Sequence, residues 1–456
     1  MKTRSFKGGV HPAGGKELSS GSQIVRLEPK GELIFPMLQH IGAPATPAVK
    51  PGDRVLLGSV IGRASGFVSC NIISSVSGTV KRVEPIDNGA GTMIESVVIE
   101  SDSEYEAVEG FGDPRDYDRL SKDEIRRIIS EAGLVGMGGA GFPTSVKLAV
   151  KDDSLIDYVI VNGAECEPYI TCDHRLMLER TEKAVLGLKI LLRLFENAKG
   201  VFAVENNKPD AIGALGEAVK GSKRMYVQPL KTKYPQGGER VVVNAVTGRR
   251  LSSKKLPSEL GCVVVNLATV AAVADAVAYS TPLVSRIVTV TGEDIKEPSN
   301  FEVPLGTATG ELVEAAGGFL EPPKKIILGG PMMGSSVSGL NVPVTKTTSC
   351  ILCLKNDGAA AKEPSACIRC GRCLDVCPER LMPAKLKALA DRFDYGGFEK
   401  LGGLECIGCG SCTYICPAKR RLSQSITAAK RQVLADKRAA AQKRSLEPSG
   451  GKEGEK

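Results

Sequence analysis

Eight of the fourteen cysteines in this chain form two runs with the same spacing, C-x₂-C-x₂-C-x₃-C-P. The first run is Cys367, Cys370, Cys373 and Cys377, and the second is Cys406, Cys409, Cys412 and Cys416. Three closely spaced thiolates can hold one corner of an iron–sulfur cube, while the fourth cysteine of such a run ligates the other cluster. We therefore predict two [4Fe–4S] clusters, one on Cys367, Cys370, Cys373 and Cys416 and one on Cys406, Cys409, Cys412 and Cys377.

Zinc is the alternative for these cysteines, because tetrahedral thiolate cages also use C-x₂-C pairs. The doubled register favours clusters over zinc. Pro378 and Pro417 end each run and keep the chain from continuing as a helix towards the cluster. The pattern thus predicts a protein that moves single electrons.

Length and composition indicate the number of domains, the redox compartment and the partners that can be excluded. A chain of 456 residues is long enough for about three or four domains. Cysteines reserved for clusters indicate a reducing compartment. We expect no signal peptide after Met1, and no stretch approaches the ~20 apolar residues that span a bilayer. The absence of Trp and the few aromatic residues argue against a nucleic-acid partner.

The N-terminal region predicts a β domain. Residues 1–35 are rich in Gly, Pro and Lys and are expected to form an extended arm. Residues 36–100 contain short strand-like segments separated by turn signals. This stretch resembles half of a lipoyl or biotinyl carrier barrel, but it lacks a Lys at a hairpin tip. We therefore expect a barrel-sandwich-like domain without a prosthetic arm.

A capped helix and a glycine-rich loop come next. Ser121 and Glu124 form a capping box before apolar residues at helical spacing, and Gly133 is expected to end that helix. The loop that follows, 133–142, leads through Pro143 into a helix that carries Lys147. Backbone N–H groups at such a junction can bind a phosphate, and a structural glycine turn is the alternative.

Strand and helix patterns alternate over the next segment and predict a doubly wound sheet. The predicted strands are 157–162, 200–204, 225–227 and 263–266, and the segment 173–197 is predicted as one helix. The first strand runs into the acidic turn Glu165-Cys166-Glu167. Because ligands meet the carboxyl ends of strands in such sheets, this turn is a candidate site, and a solvated acidic turn is the alternative.

The remaining segments predict a β-grasp module and a basic tail. Strands at 286–292 and 325–331 bracket a helix at 310–316. The C-x₂-C pair at Cys350 has no second pair and is interpreted as structural. Packing roles are also expected for Cys70, Cys166, Cys172 and Cys262. After Cys416 a helix rich in Ala, Lys and Arg could contact acidic headgroups or an acidic partner, or be solvated; residues 448–456 are disordered by composition.

Two motifs carry a resemblance to a known family. Gly136-Met-Gly-Gly-Ala-Gly-Phe-Pro-Thr144, with Lys147, and Val161-Asn-Gly-Ala-Glu-Cys-Glu-Pro168 are similar to the NADH- and FMN-binding subunit of respiratory complex I. From Lys7 to Pro417 the chain resembles the RnfC family, the C subunit of the Rnf electron-transport complex, with the domains in the same order. The complex I family has Arg where Met137 stands and Asp where Ala164 stands.

The resemblance implies a site for FMN and NAD(H). It implies FMN contacts from Gly136, Gly138, Lys147, Asn162 and Glu165, with Gly237, Gly238, Asn266 and Thr269 closing over the flavin. It implies contacts to the nicotinamide nucleotide from Gly139, Phe142, Glu167, Tyr234 and Glu239. A flavin between a hydride donor and one-electron clusters makes chemical sense, because a flavin accepts two electrons and releases them singly.

The resulting fold prediction is a multidomain α/β protein. Its parts are an N-terminal arm and barrel-sandwich-like β domain (1–110), a doubly wound, Rossmann-like FMN/NADH-binding domain (111–280), a β-grasp, SLBB-like domain (281–345), a two-[4Fe–4S] ferredoxin-like domain (346–420) and a basic C-terminal helix and tail (421–456).

By resemblance, the expected function is that of a peripheral subunit on the cytoplasmic face of the cell membrane. Its complex would couple electron transfer between ferredoxin and NAD⁺ to Na⁺ or H⁺ translocation, with membrane and ferredoxin-like subunits as partners and ferredoxin as an indirect one. One alternative is a cobalamin reductase with flavin and clusters, but there the barrel-like segment follows the clusters. The other is an electron-relay scaffold without an active flavin, suggested by Met137 and Ala164.

Overall fold

The computed structural model describes residues 2–358 and 361–446, with side chains up to residue 440. The expected disorder at 448–456 lies outside the described residues. The described residues form two compact units, one within residues 1–6 and 11–358 and the other within residues 7–10 and 359–456. Single turns of 3₁₀ helix occur at Lys16–Leu18, Tyr117–Arg119, Asp153–Leu155, Pro257–Leu260 and Gly403–Glu405.

The first unit begins with a β domain. Its strands and the preceding arm strand are β1 (Ile24–Arg26), β2 (Glu32–Pro36), β3 (Thr46–Pro47), β4 (Arg54–Val55), β5 (Val60–Arg63), β6 (Ile72–Ile73), β7 (Gly78–Asp87) and β8 (Met93–Ser101). They form the sheets β2-β8-β7-β4 and β3-β5-β6. Alternation along β2 and β8 places Leu33, Phe35, Val97 and Ile99 in the core. The arm is anchored, because β1 pairs in parallel with a later strand at Asn300–Glu302.

A doubly wound α/β domain follows, as the strand–helix alternation predicts. Its elements are α1 (Lys122–Glu131), α2 (Thr144–Leu148), β9 (Tyr158–Gly163), α3 (Cys172–Glu179), α4 (Thr181–Leu194), β10 (Lys199–Glu205), α5 (Pro209–Ala218), β11 (Met225–Leu230), α6 (Glu239–Thr247), β12 (Cys262–Asn266) and α7 (Leu267–Ala278). The parallel sheet has the order β11-β10-β9-β12, so the winding direction reverses between β9 and β12.

Local signals account for one helix well and another poorly. The capping box of Ser121 and Glu124 is present at α1, and Gly133 follows it with a φ of 70°. The single helix predicted for 173–197 is wrong, since the chain forms α3 and α4 with a break at Arg180. Arg180 has a φ of −136°. Its guanidinium donates to Glu302 Oε1 at 3.0 Å, and Glu302 lies on a strand of the β-grasp sheet. This long-range ion pair is invisible to a local pattern.

The β-grasp region completes the first unit. Its elements are β13 (Ser285–Thr291), β14 (Ser299–Pro304), α8 (Thr309–Ala315), β15 (Lys325–Leu328), β16 (Ser335–Val337) and β17 (Cys350–Leu354). With β1 they form one six-stranded sheet of order β1-β14-β13-β17-β15-β16. Cys350 and Cys353 are fully buried within β17, which fits the predicted structural role.

The second unit is helical around the two cysteine runs. Its helices are α9 (Arg372–Asp375), α10 (Pro383–Asp391), α11 (Tyr395–Lys400), α12 (Ser411–Ile415) and α13 (Leu422–Leu446). Apolar residues of α10, α11 and α13 form its core, including Leu386, Phe398 and Ile426. No helix among the described residues is long and apolar enough to cross a membrane.

The N-terminal segment 7–10 belongs to this second unit. The backbone N–H of Gly9 donates to Val376 O at 2.8 Å. Gly8 has a φ of +86°, and a methyl group added there would lie 2.9 Å from Val376 O and 3.0 Å from Cys377 O. Only glycine tolerates this conformation and this close approach together. The segment therefore supports the last turn of the first cysteine run from behind.

Candidate functional site

The predicted flavin residues meet where the winding of the parallel sheet reverses. Asn162 at the end of β9 pairs directly with Asn266 at the end of β12. In open α/β sheets, the crevice at such a switch point is where ligands bind. Asn266 also caps α7, its Oδ1 accepting from Ala268 N at 3.0 Å. The two asparagines thus fix the floor of a crevice at the carboxyl edge of the sheet.

The glycine loop lies against this crevice. Met137 N donates to Thr269 Oγ1 at 2.9 Å, and Thr269 in turn donates to Val135 O at 3.0 Å. A methyl group added at Gly138 would lie 2.7 Å from Asn266 Nδ2, so the backbone approaches that amide as closely as glycine permits. The loop tip around Gly138 is exposed. The loop is held at its base and open at its tip.

Two further predicted residues belong to the same loop. Gly136 N donates to Phe142 O at 2.9 Å, and this hydrogen bond closes the loop on itself. Gly139 lies at the exposed tip, where an added methyl group would meet nothing within 4 Å among the described residues. Phe142 is therefore tied to the predicted site through the loop backbone, whereas Gly139 faces open space.

The turn at Gly237 closes the other side. Asn162 Nδ2 donates to Gly237 O at 2.8 Å, and Gly237 N donates to Cys166 Sγ at 3.2 Å. Gly238 is the N-cap of α6, whose first residue, Glu239, accepts from Lys147 Nζ at 2.6 Å. The fold therefore brings together predicted residues from four separate segments of the chain.

Glu165 is turned inward by the backbone. It has a left-handed φ of 43°, and its carboxylate accepts from Asp173 N at 2.6 Å at the start of α3. Lys16 Nζ lies 3.6 Å from its other oxygen. Asp173 is itself buried beside this carboxylate, and burial, with repulsion from Glu165, raises its pKa to about 6. The acidic turn is therefore not a solvated surface feature.

Glu167 points towards the β-grasp region. Its Oε2 accepts from Met332 N at 3.1 Å, in the loop between β15 and β16. Burial raises the pKa of Glu167 to about 7, although the N–H groups of Met332 and Met333 and the Tyr234 hydroxyl act in the opposite direction. Near neutral pH this carboxyl can therefore hold a proton, and in that form it can both donate and accept a hydrogen bond.

Three buried cations beneath the site were not foreseen from the sequence. Lys208 Nζ donates to Ala164 O at 2.8 Å, and Arg286 donates to Met137 O at 2.6 Å. Lys346 Nζ donates to Gly133 O at 2.8 Å. Burial lowers the pKa of all three side chains. Met137 and Ala164 are the two departures from the complex I pattern. The carbonyl oxygen of each thus accepts a hydrogen bond from a basic side chain that is distant in sequence.

Unsatisfied polar atoms test whether a flavin nucleotide fits this crevice. The side-chain amide of Gln236 is fully buried, and within the described ranges neither its oxygen nor its nitrogen has a hydrogen-bond partner. Glu165 Oε2 is buried and forms the ion pair with Lys16, but it accepts no hydrogen bond from the described residues. Buried polar groups are rarely left unsatisfied without a reason. Together with the open glycine loop they fit a polar ligand such as FMN.

Thiols of the first cysteine set lie together near the surface. Burial raises the pKa of Cys373, and its neighbours Cys416 and Cys367 raise it further. The backbone N–H of Arg369 lowers the pKa of Cys367, and the Arg420 side chain lowers it to a smaller extent. Cys367 and Cys370 are exposed. The structure therefore brings Cys416, the fourth cysteine of the second run, close to Cys373 of the first run, with Cys367 also nearby.

The second set lines one apolar cavity. All four of its thiols border that cavity, which is also lined by Leu381, Leu386, Ile407 and Ile426. Burial raises the pKa of Cys377 to about 11 and that of Cys412 to about 12, and the nearby Cys406 and Cys409 add to both shifts. Thiols in such a place ionise only beside a strong positive charge, which bound iron supplies. The donor set therefore fits an iron–sulfur cluster.

No group of three or more His, Cys, Asp or Glu side chains in the part of the chain that the structure describes is arranged to hold a single metal ion. In the first set Cys373 lies near Cys367 and Cys416. In the second set the thiols lie near one another and line one cavity.

Family models match four successive segments of the chain. The RnfC barrel sandwich hybrid domain matches residues 4–104, and the Nuo51 FMN-binding domain matches residues 129–275. The SLBB domain matches residues 287–335, and the 4Fe-4S dicluster domain matches residues 366–420. The predicted order of barrel-sandwich, flavin, SLBB-like and two-cluster domains is confirmed.

Curated relatives match over nearly the whole chain. The chain is 44% identical to the C subunit of the Na⁺-translocating ferredoxin:NAD⁺ oxidoreductase complex of Acetobacterium woodii, over 96% of this chain and 99% of that protein. It is 44% identical to the C subunit of the proton-translocating complex of Clostridium ljungdahlii, over 85% of each chain. It is 39% identical to the C subunit of the ion-translocating oxidoreductase complex of Rhodobacter capsulatus, over 88% of this chain and 78% of that protein.

Proposed function

Because the chain belongs to the RnfC family of ion-translocating ferredoxin:NAD⁺ oxidoreductase subunits, we propose that it exchanges electrons between NAD(H) and iron–sulfur clusters within such a complex. It carries an FMN-binding domain and a two-cluster iron–sulfur domain on one chain. That combination is the observation on which the proposal rests. Bound FMN supplies the step from hydride transfer to single-electron transfer.

Residues of the switch-point crevice are assigned to FMN in this proposal. Gly136, Gly138, Asn162 and Asn266 shape the crevice, and the Thr269 hydroxyl holds the glycine loop in place. Lys147 supplies positive charge for the phosphate, Gly237 and Gly238 close the turn opposite, and Glu165 anchors the acidic turn on α3. These groups would bind and orient FMN and exclude water from it.

The nicotinamide nucleotide is assigned to the residues around Glu167. Tyr234 contacts this carboxyl, and Gly139, Phe142 and Glu239 complete the proposed surface. Burial raises the pKa of this carboxyl to about 7, so it can hold a proton at one oxygen while the other accepts a hydrogen bond. A glutamine at this position cannot take up or release that proton.

The two cysteine sets are assigned as cluster ligands with the pairing given by the motif spacing. We place the first cluster on Cys367, Cys370, Cys373 and Cys416 and the second on Cys377, Cys406, Cys409 and Cys412. We also retain the predicted domain bounds at 110 and 280. We move the bound at 345 to 358, because β17 pairs with β13 and β15, and we include α13 in the cluster domain, because Ile426 lies in its core. We place the protein at the cytoplasmic face of the membrane, where it meets the other subunits and, through them, ferredoxin.

An electron relay without flavin is the second candidate, favoured by Met137 and Ala164. The buried Arg286, which donates to the Met137 carbonyl, argues against it, because it brings positive charge to the position where the complex I family has Arg. Anaerobically purified protein should contain FMN and reduce ferricyanide with NADH. Glu167→Gln should raise the KM for NADH about 10-fold, equivalent to ~1.4 kcal/mol of binding, with both clusters retained. Protein with both clusters but neither flavin nor NADH-dependent reduction would leave only the relay.

A further inference from the structure

The N-terminal arm lies beside the residues that link the acidic turn to α3. The backbone N–H of Tyr169 donates to Gly14 O at 2.6 Å. The hydroxyl oxygens of Ser19 and Thr171 lie 2.8 Å apart, and both side chains are fully buried. Residues 14–19 are therefore fixed against this part of the α/β domain, although more than a hundred and forty positions separate the two segments in sequence.

Gly15 allows this close approach. It has a φ of +59°, and a methyl group added there would overlap the ring of Tyr169. The ring is held in place, because the Tyr169 hydroxyl donates to Glu293 at 2.6 Å. Glycine is the residue that tolerates both the left-handed conformation and the lack of space. The arm is thereby kept close to the turn at the residue before Lys16.

Lys16 carries a positive charge into the acidic turn. Its Nζ donates to Ile170 O and lies 3.6 Å from Glu165 Oε2. Both side chains of this ion pair are largely buried, with 15% and 4% of their surfaces exposed. Removing one partner of a buried ion pair leaves the other charge uncompensated. Lys16 therefore compensates the charge of Glu165, although it lies outside residues 129–275, which match the FMN-binding domain.

A second buried cation near the turn, Lys208, pairs with a different carboxylate. Its Nζ lies 3.8 Å from Glu205 Oε2, and both of these side chains are at most 2% exposed. Its Nζ also donates to Ala164 O at 2.8 Å. Burial raises the pKa of Glu205 to about 7, while the charges of Lys208 and Lys16 act against this rise. Each lysine therefore pairs with its own carboxylate, and that of Lys16 is Glu165.

The two carboxylate oxygens of Glu165 have different surroundings. Oε1 accepts from the backbone N–H of Asp173 at 2.6 Å and from that of His174 at 3.4 Å. Oε2 is buried beside Lys16 and accepts no hydrogen bond from the described residues. An ionised carboxylate is a hydrogen-bond acceptor only, and FMN carries hydroxyl and N–H donors. Oε2 is therefore the oxygen left for the ligand, and Lys16 is the cation beside it.

We propose that Lys16 is a positioning residue of the FMN site. It holds the Glu165 carboxylate in place and compensates its charge, so that Oε2 can accept a hydrogen bond from the flavin nucleotide. The inference rests on the proposed function, which assigns the crevice to FMN, and it adds a residue of the N-terminal arm to that site. Without Lys16 the turn gains net negative charge, and FMN is itself an anion, so its binding weakens.

Equilibrium dialysis of FMN against the FMN-depleted full chain, under anaerobic conditions, tests this role. Lys16→Gln keeps a hydrogen-bond donor for Ile170 O but lacks the charge, and it should raise the Kd for FMN about 10-fold. Lys16→Arg keeps the charge and should restore most of the affinity. The matched control is Lys30→Gln, on the same arm. Lys30 Nζ also lies 3.6 Å from a carboxylate oxygen, that of Glu314, but both side chains are at least 70% exposed, so FMN binding should not change.

Hydrogen exchange of the peptide that contains Asp173, followed by mass spectrometry, gives a second reading that does not depend on FMN. Exchange should be faster in Lys16→Gln than in Lys30→Gln or the unchanged protein, because Glu165 is then held less firmly. Unaltered exchange would overturn the inference, as would unchanged FMN binding in Lys16→Gln or an equal loss in Lys16→Arg or Lys30→Gln. An unchanged protein that binds no FMN would instead reject the proposed function, and the exchange result would still decide whether Lys16 holds Glu165.

Discussion

The two cysteine runs share their spacing but not their surroundings. Cys367 and Cys370 of the first run are exposed, and Arg369 and Arg372 lie between its ligands. The first three cysteines of the second run instead line a cavity with Leu386 and Ile426. Spacing is dictated by the shape of the cluster, so it is the same in both. Exposure and nearby charge are set by the rest of the fold, and these tune where electrons enter and leave. Identical ligand motifs therefore need not have identical roles.

Replacing one cysteine ligand in each run should give the largest difference between the two runs, in cluster content and in Tm. Cys370→Ser and Cys409→Ser should each lose the cluster they ligate, seen as a loss of iron and of one EPR signal. Cys409→Ser should also destabilise the fold, because cluster binding and folding are coupled where the site is enclosed. We expect its Tm to lie at least about 5 °C below that of Cys370→Ser, roughly 1 kcal/mol for a unit of this size. Equal Tm values would show that the enclosure has no structural consequence.

A substitution at Gly8 should disturb the second cysteine set without removing a ligand. Gly8→Ala places a methyl group against the carbonyl oxygens of Val376 and Cys377 at a φ of +86°, which should cost ~1–3 kcal/mol. Since Cys377 belongs to the second set, the EPR signal of the enclosed cluster should weaken first. Gly21→Ala is the control, because a methyl group there meets no atom of the described residues within 4 Å. Selective loss of the exposed cluster instead would contradict the assigned pairing.

Glu167 should give the smallest effect, and one confined to the flavin side. Its pKa is raised by burial to about 7 from an ordinary value of 4.5, so the folded protein binds more protons than the unfolded chain between these values. Its contribution to stability is full below pH 4.5 and is lost as the pH rises through about 7. Glu167→Gln should flatten the decline in stability from pH 5 to pH 8 by on the order of 1–2 kcal/mol. A decline as steep as in the unchanged protein would show that other groups cause it.

Much of the fold was accessible to local reasoning. Turn residues, capping signals and alternation identified the β domain, α1 and the strands of the parallel sheet, and motif spacing paired the cysteines. The break at Arg180 was missed because Glu302, its partner, is distant in sequence. Lys208, Arg286 and Lys346 were missed for the same reason, since isolated basic residues look solvated until the fold buries them. Gln236 carried one weak signal, an amide within a Pro- and Gly-rich turn.

EPR of the anaerobically purified full chain, before and after addition of NADH, would show whether NADH reduces both clusters through the flavin site. We expect FMN in the protein and, with NADH, the signals of reduced [4Fe–4S] clusters. We also expect Glu167→Gln to need more NADH to reach the same signal. Protein that holds zinc in place of iron, or clusters that NADH leaves oxidised, would contradict the claim that a flavin site feeds both clusters within one chain.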